Sequence, residues 1–304
     1  MTASSRQVLL VTHTGRSTAT TSATLLVKRL QAAGIDVVAP AAEAAELALP
    51  GLAVWDELTD KEQHDVELVI VLGGDGSILR GAELARGGET PLLGVNLGRV
   101  GFLAEAEEQD LVDVADRIGS RQYEVEERVA VEAKVVVGGA VVHRAWALNE
   151  ISVEKAERQR MLEVGVEVDG HRLSRWGCDG VVCATPTGST AYAFSAGGPV
   201  VWPEVEAMLL VPLSAHALFA RPLVVAPTSS ISIELLTSGA RGVLWADGRR
   251  SLELPTSARI DVTRSEQPVR LARLHQTPFT ERLVAKFALP VQGWRGVPGD
   301  DEPS

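Results

Sequence analysis

The chain has 304 residues, 45% of them hydrophobic and 23% charged, which is enough for a large core and, at about 150 residues per domain, for two domains. A formal net charge of -11 and an aromatic content of 4% exclude an extended nucleic-acid surface, which needs a basic stripe or a series of stacking rings. No run approaches the ~18 apolar residues of a membrane span, and the short polar start Met1–Gln7 carries no leader pattern, so the composition points to a cytoplasmic protein.

In chain order, Val8–Val11 reads as a strand, and leucines at 25, 26 and 30 predict a helix over Ser22–Ala33, closed by Gly34 before a second strand at Ile35–Val38. Ala39–Asp65, rich in Ala, Glu and Pro, reads as partly helical. The apolar run Val66–Leu72 is a buried strand, Ser77 to about Arg86 a helix, and Pro91–Val95 another strand. This βαβ alternation predicts a parallel sheet that binds ligands beyond the carboxyl ends of its strands. Beyond about Tyr123 the pattern becomes β-branched runs separated by Gly138-Gly139, Asp169-Gly170 and Asp247-Gly248, the signature of hairpins, so a mainly antiparallel β-sandwich is expected. The predicted architecture is α/β over 1–123 and β-sandwich over 124–274, with a helix near 278–295 packing back on the first domain and a disordered tail at 296–304.

The densest chemical signal is Gly73-Gly74-Asp75-Gly76, directly after the Val66–Leu72 strand. Glycines at a strand-to-helix turn admit a polyphosphate close to the backbone and the helix N-terminus. A carboxylate among them repels phosphate unless it holds a divalent cation or takes a proton from an attacking hydroxyl. The bland alternative is that Asp75 caps the following helix. Arg80, one turn on, is placed to bridge phosphate oxygens or to be a solvated surface residue. Asn96–Leu103 forms a second glycine-rich loop at a strand end, and Asn149-Glu150 interrupts an apolar strand, either as an exposed pair or as a ligand clamp. The run Thr185–Pro199 is small, hydroxyl-bearing and turn-rich around Tyr192 and Phe194, so it offers a polar ligand many hydrogen bonds and a ring. It contains neither a Gly-x-Ser-x-Gly elbow nor a Walker ending. Cys178 and Cys183 are expected to be buried thiols, and the six histidines show no metal-like spacing, so no metal is assigned to protein ligands.

Gly-Gly-Asp-Gly at 73–76, Asn-x-Gly-x-x-Gly-Phe-Leu at 96–103, Asn-Glu at 149–150 and Thr-Pro-Thr-Gly-Ser-Thr-Ala-Tyr-x-x-Ser-x-Gly-Gly-Pro at 185–199 together resemble the bacterial NAD kinases, in order and spacing, over nearly the whole chain. The resemblance implies a Rossmann-like α/β domain followed by a β-sandwich domain, assembled as a homodimer or homotetramer. It implies transfer of the terminal phosphoryl group of ATP to the 2′-hydroxyl of the adenosine ribose of NAD, giving NADP. Mg²⁺ would be bound mainly through the phosphoryl donor. Asp75 would be the proton acceptor, with Gly73, Gly74, Gly76 and Arg80 toward phosphate. Asn149 and Glu150 would hold adenosine, and Asp179, Thr190, Ala191, Tyr192, Ala193, Phe194 and Ser195 would line the dinucleotide pocket. Arg160 and Arg249 fall where relatives carry ligand contacts. Where many relatives have a basic residue two before Asp179 this chain has Gly177, so that cation is either absent or supplied by Arg175. A superfamily kinase acting on a lipid or sugar hydroxyl and a non-catalytic dinucleotide sensor are the competing readings. Inorganic polyphosphate as donor and NADH as acceptor stay open.

Overall fold

The computed structural model describes residues 6–13, 15, 17–55, 66–98, 101–236, 241–275 and 277–291. They form two compact units, one from the residues up to Glu126 together with those from Arg270 onward, the other from Glu127–Val269.

The first unit begins β1 (Arg6–Thr12), α1 (Ser17–Ala32), β2 (Ile35–Pro40), α2 (Ala41–Leu47), β3 (Ala53–Trp55), β4 (Leu68–Leu72), α3 (Asp75–Ala85), β5 (Leu92–Asn96), β6 (Ala106–Glu107), α4 (Leu111–Gly119) and β7 (Glu124–Arg128). The order β3-β2-β1-β4-β5 is parallel throughout, with β6 beside β5. Chain direction across the sheet reverses at β1 and β4, so the loop after β4 leaves from the topological switch point. The core is built on Leu10, Leu26, Ile35, Ile70, Leu72, Leu93 and Val114.

Three elements differ from the sequence expectation. Helix α1 starts at Ser17 rather than Ser22, because its first core contact is the small Ala19, which adds little to an apolar pattern. Helix α3 starts at Asp75, two residues before the predicted Ser77, with Gly74 as its N-cap. Helix α4 was not anticipated, although buried Leu111, Val114, Ala115 and Ile118 follow the i, i+3, i+4, i+7 rule.

The second unit contains β8 (Val131–Val137), β9 (Ala140–Ala147), β10 (Glu150–Lys155), β11 (Leu162–Val168), β12 (His171–Cys178), β13 (Gly180–Ala184), the short helix α5 (Tyr192–Ser195), β14 (Met208–Leu213), β15 (Leu223–Val225), β16 (Ile231–Leu235), β17 (Gly242–Ala246), β18 (Arg250–Leu254) and β19 (Arg259–Arg264). Two six-stranded sheets, β15-β14-β13-β10-β17-β18 and β12-β11-β16-β19-β8-β9, pack around one core that includes Val135, Ile151, Val164, Trp176, Leu210, Leu244 and Ile260. The predicted hairpins are present: φ is 58° and 82° at Gly138 and Gly139 and 53° and 75° at Asp169 and Gly170, as two-residue turns between twisted strands require. Cys178 and Cys183 are free and buried, and burial raises their thiols to about 11 and about 12.

The chain then returns to the first unit. β20 (Val269–Arg273) lies beside β5 in the parallel sheet with β7 on its other side, and α6 (Phe279–Phe287) follows. The helix predicted near 278–295 spans only Phe279–Phe287 and ends at a left-handed Ala288; residues beyond 291, with the predicted tail at 296–304, lie outside the described residues. No helix among the described residues is long and apolar enough to cross a membrane.

Candidate active site

Asp75 stands on the first residue of α3 at the carboxyl end of β4. It does not cap the helix: Gly74 occupies the cap position, and no side chain caps it. The Asp75 carboxylate instead accepts hydrogen bonds from the backbone N–H groups of Phe102 (3.3 Å, to Oδ2) and Leu103 (3.2 Å, to Oδ1), in the loop beyond the neighbouring strand β5. That loop needs a glycine at 101, because a Cβ there would stand 3.0 Å from the Asp75 Cγ and overlap Oδ1. Gly98 and Gly101 are not in the left-handed region, so Gly101 is explained by crowding against Asp75 rather than by turn conformation, while a Cβ at Gly98 would meet no described atom within 4 Å. Gly74 and Gly76 are the opposite case: both are exposed, and a Cβ at either would meet no described atom within 4 Å. Gly73 is buried, its N–H bonded to the Val95 carbonyl at 2.9 Å.

Arg80, expected to face phosphate, forms an ion pair with Glu43 of α2. Glu43 is 4% exposed and also accepts from the Thr12 N–H at 2.8 Å, so the guanidinium is anchored at the end of β1.

In the second unit, Asn149 and Glu150 do not interrupt a strand; they form the junction between β9 and β10. This junction is buried, and Asp247 holds it. Asp247, at φ 53° in the β17–β18 turn, accepts from the Leu148 N–H (3.1 Å) and the Asn149 N–H (2.7 Å), and its own N–H donates to the Glu150 carbonyl (3.0 Å). Arg250 donates to Asp247 at 3.0 Å and lies over the Trp146 ring, 4.6 Å from its centroid. Burial and the Asp247 charge push the Glu150 carboxyl up to about 8, opposed by a hydrogen bond from the Tyr192 backbone N–H. A carboxyl raised in this way favours its protonated form, which can donate as well as accept. Its Oε2 is buried with no hydrogen-bond partner among the described residues.

The hydroxyl-rich segment folds against this junction. The Thr185 hydroxyl donates to the Leu148 carbonyl (2.6 Å) and accepts from the Gly188 N–H (3.0 Å), while the Thr185 N–H donates to the Asn149 carbonyl (2.9 Å). Thr187–Thr190 is a 3-10 turn leading into α5. Tyr192 and Phe194 are 36% and 40% exposed, and Ser195 is also exposed. Thr190 and Ala191 are half-buried. Ala193 is fully buried against Val182, Ala184, Leu209 and Val211, so its side chain belongs to the core and has no surface for a ligand. Glu154 ties the neighbourhood together, accepting from the Ser152 hydroxyl and from the Tyr192 hydroxyl at 3.4 Å. Burial, with the Glu154 charge second, raises the Tyr192 phenol to about 12.

Arg175 does not supply the cation expected near Asp179, because it pairs with Glu163. Lys155 of the adjacent strand β10 pairs with Asp179 instead. Arg160 and Arg249 are both exposed, on the segment after β10 and on the β17–β18 turn.

Two family models cover most of this geometry. Residues 8–123 match the ATP-NAD kinase N-terminal domain and residues 148–274 the ATP-NAD kinase C-terminal domain. The chain belongs to the ATP-NAD kinase family. The phosphorylation of NAD to NADP is the reaction of that family. NAD kinase 2 of Streptomyces coelicolor is 60% identical over 96% of this chain and 98% of its own length, and the NAD kinase of Mycobacterium tuberculosis is 50% identical over 96% and 98%. Among solved structures, an NAD kinase from Archaeoglobus fulgidus in complex with ATP covers 93% of this chain and 100% of its own, with a TM-score of 0.72 at 26% identity. Yeast NADH kinase complexed with NADH shares the fold, with a TM-score of 0.86 over 95% of this chain and 89% of its own at 23% identity.

Set against the family's motifs, sequence reasoning missed Asp247 and Lys155 as partners of motif residues. Asp247-Gly248 was visible as a turn, but nothing in its local pattern tells a turn aspartate that faces solvent from one that grips another strand junction.

Proposed function

We propose that this chain transfers the terminal phosphoryl group of ATP to the 2′-hydroxyl of the adenosine ribose of NAD, with Asp75 receiving the hydroxyl proton. One observation carries the assignment of Asp75. Its carboxylate is fixed by two backbone N–H groups of another loop instead of capping its helix, beside two glycines for which the described protein itself has no packing need.

A ribose hydroxyl is a weak acid, so the carboxylate orients it and takes its proton late, as the new O–P bond forms and the bond to the leaving ADP breaks. Positioning then does most of the work, and a carboxylate held at both oxygens is pre-positioned for it. Asn149, Glu150, Asp179, Thr190, Ala191, Tyr192, Phe194 and Ser195 are assigned to the dinucleotide, and Gly73, Gly74, Gly76 and Arg80 to phosphate. Arg160 and Arg249 are assigned to the ligand's outer reach.

Mg²⁺ is assigned mainly to the donor's phosphates, whose oxygens are the hard ligands this cation takes. Such an ion neutralises phosphate charge when bound, which matters in a chain of net charge -11. The ATP held by the Archaeoglobus relative supports ATP as donor.

The test is a coupled assay. Purified protein with ATP, Mg²⁺ and NAD is expected to form NADP, and Asp75→Asn to lower turnover by about 10²- to 10⁴-fold with NAD affinity kept. Unchanged turnover in that variant removes Asp75 from the chemistry. Polyphosphate in place of ATP and NADH in place of NAD define donor and acceptor range in the same assay. The same reading makes the protein a cytoplasmic homodimer or homotetramer, which light scattering of the purified chain tests.

A further inference from the structure

Arg282 lies on α6, is 8% exposed, and spends its guanidinium on the loop that holds Asp75. Nη1 donates to the carbonyls of Phe102 (3.2 Å) and Ala104 (2.7 Å), and Nη2 pairs with Glu105. The Phe102 carbonyl and the Leu103 N–H belong to one peptide unit. That unit is planar and, with no cis bond among the described residues, trans, so its oxygen and its hydrogen point in opposite directions. Arg282 grips the oxygen end and Asp75 the hydrogen end. A rotation of this plane that frees one contact breaks the other. The charged donor also polarises the peptide, strengthening the N–H as a donor to the carboxylate.

The rest of the loop is fixed around that plane. The Glu105 N–H donates to the Gly94 carbonyl of β5 at 2.8 Å, and Glu105 itself is clamped between Arg282 and Arg273. The Phe102 ring packs against Phe279 and Phe287 of α6, centroids 5.9 and 5.8 Å apart. Without the guanidinium, the Phe102 and Ala104 carbonyls lose this donor and Glu105 keeps only Arg273, so the 102–103 peptide loses the contact that fixes its oxygen end.

We propose that Arg282 is a positioning residue for phosphoryl transfer: through the Phe102–Leu103 peptide it sets the orientation of the Asp75 carboxylate. The inference rests on the role given to Asp75 above.

The experiment is a double-mutant cycle on the full chain, read as kcat and KM for ATP and NAD and as folded fraction by circular dichroism. Arg282→Met is expected to lower kcat by about 10- to 100-fold, the range of a misplaced catalytic group, with both KM values within about threefold. Arg282→Lys keeps the charge on Glu105 but not the planar fork, and should recover part of that loss. In an Asp75→Asn background Arg282→Met should cost less than threefold more, because the group it orients is already disabled. A purely structural role predicts the opposite: the same fractional loss in both backgrounds, which overturns the proposal, as does a kcat unchanged in folded Arg282→Lys. If Arg282→Met does not fold, the same cycle is run with Arg282→Lys, on the same criterion. Should Asp75→Asn alone leave turnover intact, it is the reading of Asp75 that fails; should Asp75→Asn be slow but the cycle additive, only the role of Arg282 fails.

Discussion

Replacing Asp247 with alanine should unfasten the Asn149–Glu150 junction from inside the second unit. The side chain accepts from two consecutive buried N–H groups, at 3.1 and 2.7 Å, and receives Arg250 at 3.0 Å. Each N–H left buried without an acceptor costs about 1–3 kcal/mol, so the direct loss is about 2–6 kcal/mol. Against this stands the relief of a buried carboxylate, since Asp247 is itself raised by burial and its charge is the second cause of the raised Glu150 carboxyl. The net expectation is a loss of about 2–4 kcal/mol, a large share of the stability of an ordinary domain. Asp247→Asn should lose less, because one amide oxygen still accepts while the amide NH₂ faces the second N–H. Urea unfolding followed by tryptophan fluorescence measures both, with NAD affinity measured calorimetrically on the same samples. Affinity should fall with stability, because the junction that loosens carries Asn149. An Asp247→Ala protein within about 0.5 kcal/mol of the parent, the scatter expected of an ordinary surface substitution, with unaltered NAD binding, would refute the claim that Asp247 holds the junction.

The Glu150 carboxyl, raised to about 8, makes a stability prediction with a definite sign. Between the unfolded carboxylate value and about 8 the folded chain binds the extra proton, so this contribution is complete at low pH and is lost as pH rises through about 8. Glu150→Gln should flatten the fall in ligand-free stability between the unfolded carboxylate value and about pH 8; parallel curves for variant and parent would contradict the assignment. A Cβ at Gly188 would stand 2.7 Å from the Asn149 Cα and overlap its carbonyl oxygen, so Gly188→Ala must push the junction aside. That change should cost about 1–3 kcal/mol or more and weaken NAD binding, and a variant with parental melting and affinity would show the backbone there to be more yielding than its packing implies.

Much of this protein was legible before folding was considered, because the signals concerned are local. Alternating apolar runs and glycine breaks located the parallel half, and Gly138-Gly139 and Asp169-Gly170 located hairpins whose positive φ values no bulky residue adopts cheaply. The glycines around Asp75 marked a strand-to-helix turn open to close approach, although none of them has a positive φ. The sequence reading went astray where a weak local pattern was overruled by packing, as in α1, whose first turn is anchored by Ala19, and at Ala193, read as a pocket residue inside a motif but committed to the core.

What the chain alone determined was therefore its division into parallel and antiparallel halves and the location of its reactive loops, since both follow from side-chain period and turn chemistry over a few neighbouring residues. Tertiary structure alone decided what grips those loops. Asp75 meets a loop 27 residues away, Asp247 meets Asn149 across 98, and Arg282 meets Phe102 across 180, while β20 joins the parallel sheet after the whole second unit has intervened. An arginine, an aspartate or a carbonyl carries no local mark of such a partner. The pairing exists because buried polar groups must be satisfied wherever the fold brings them together.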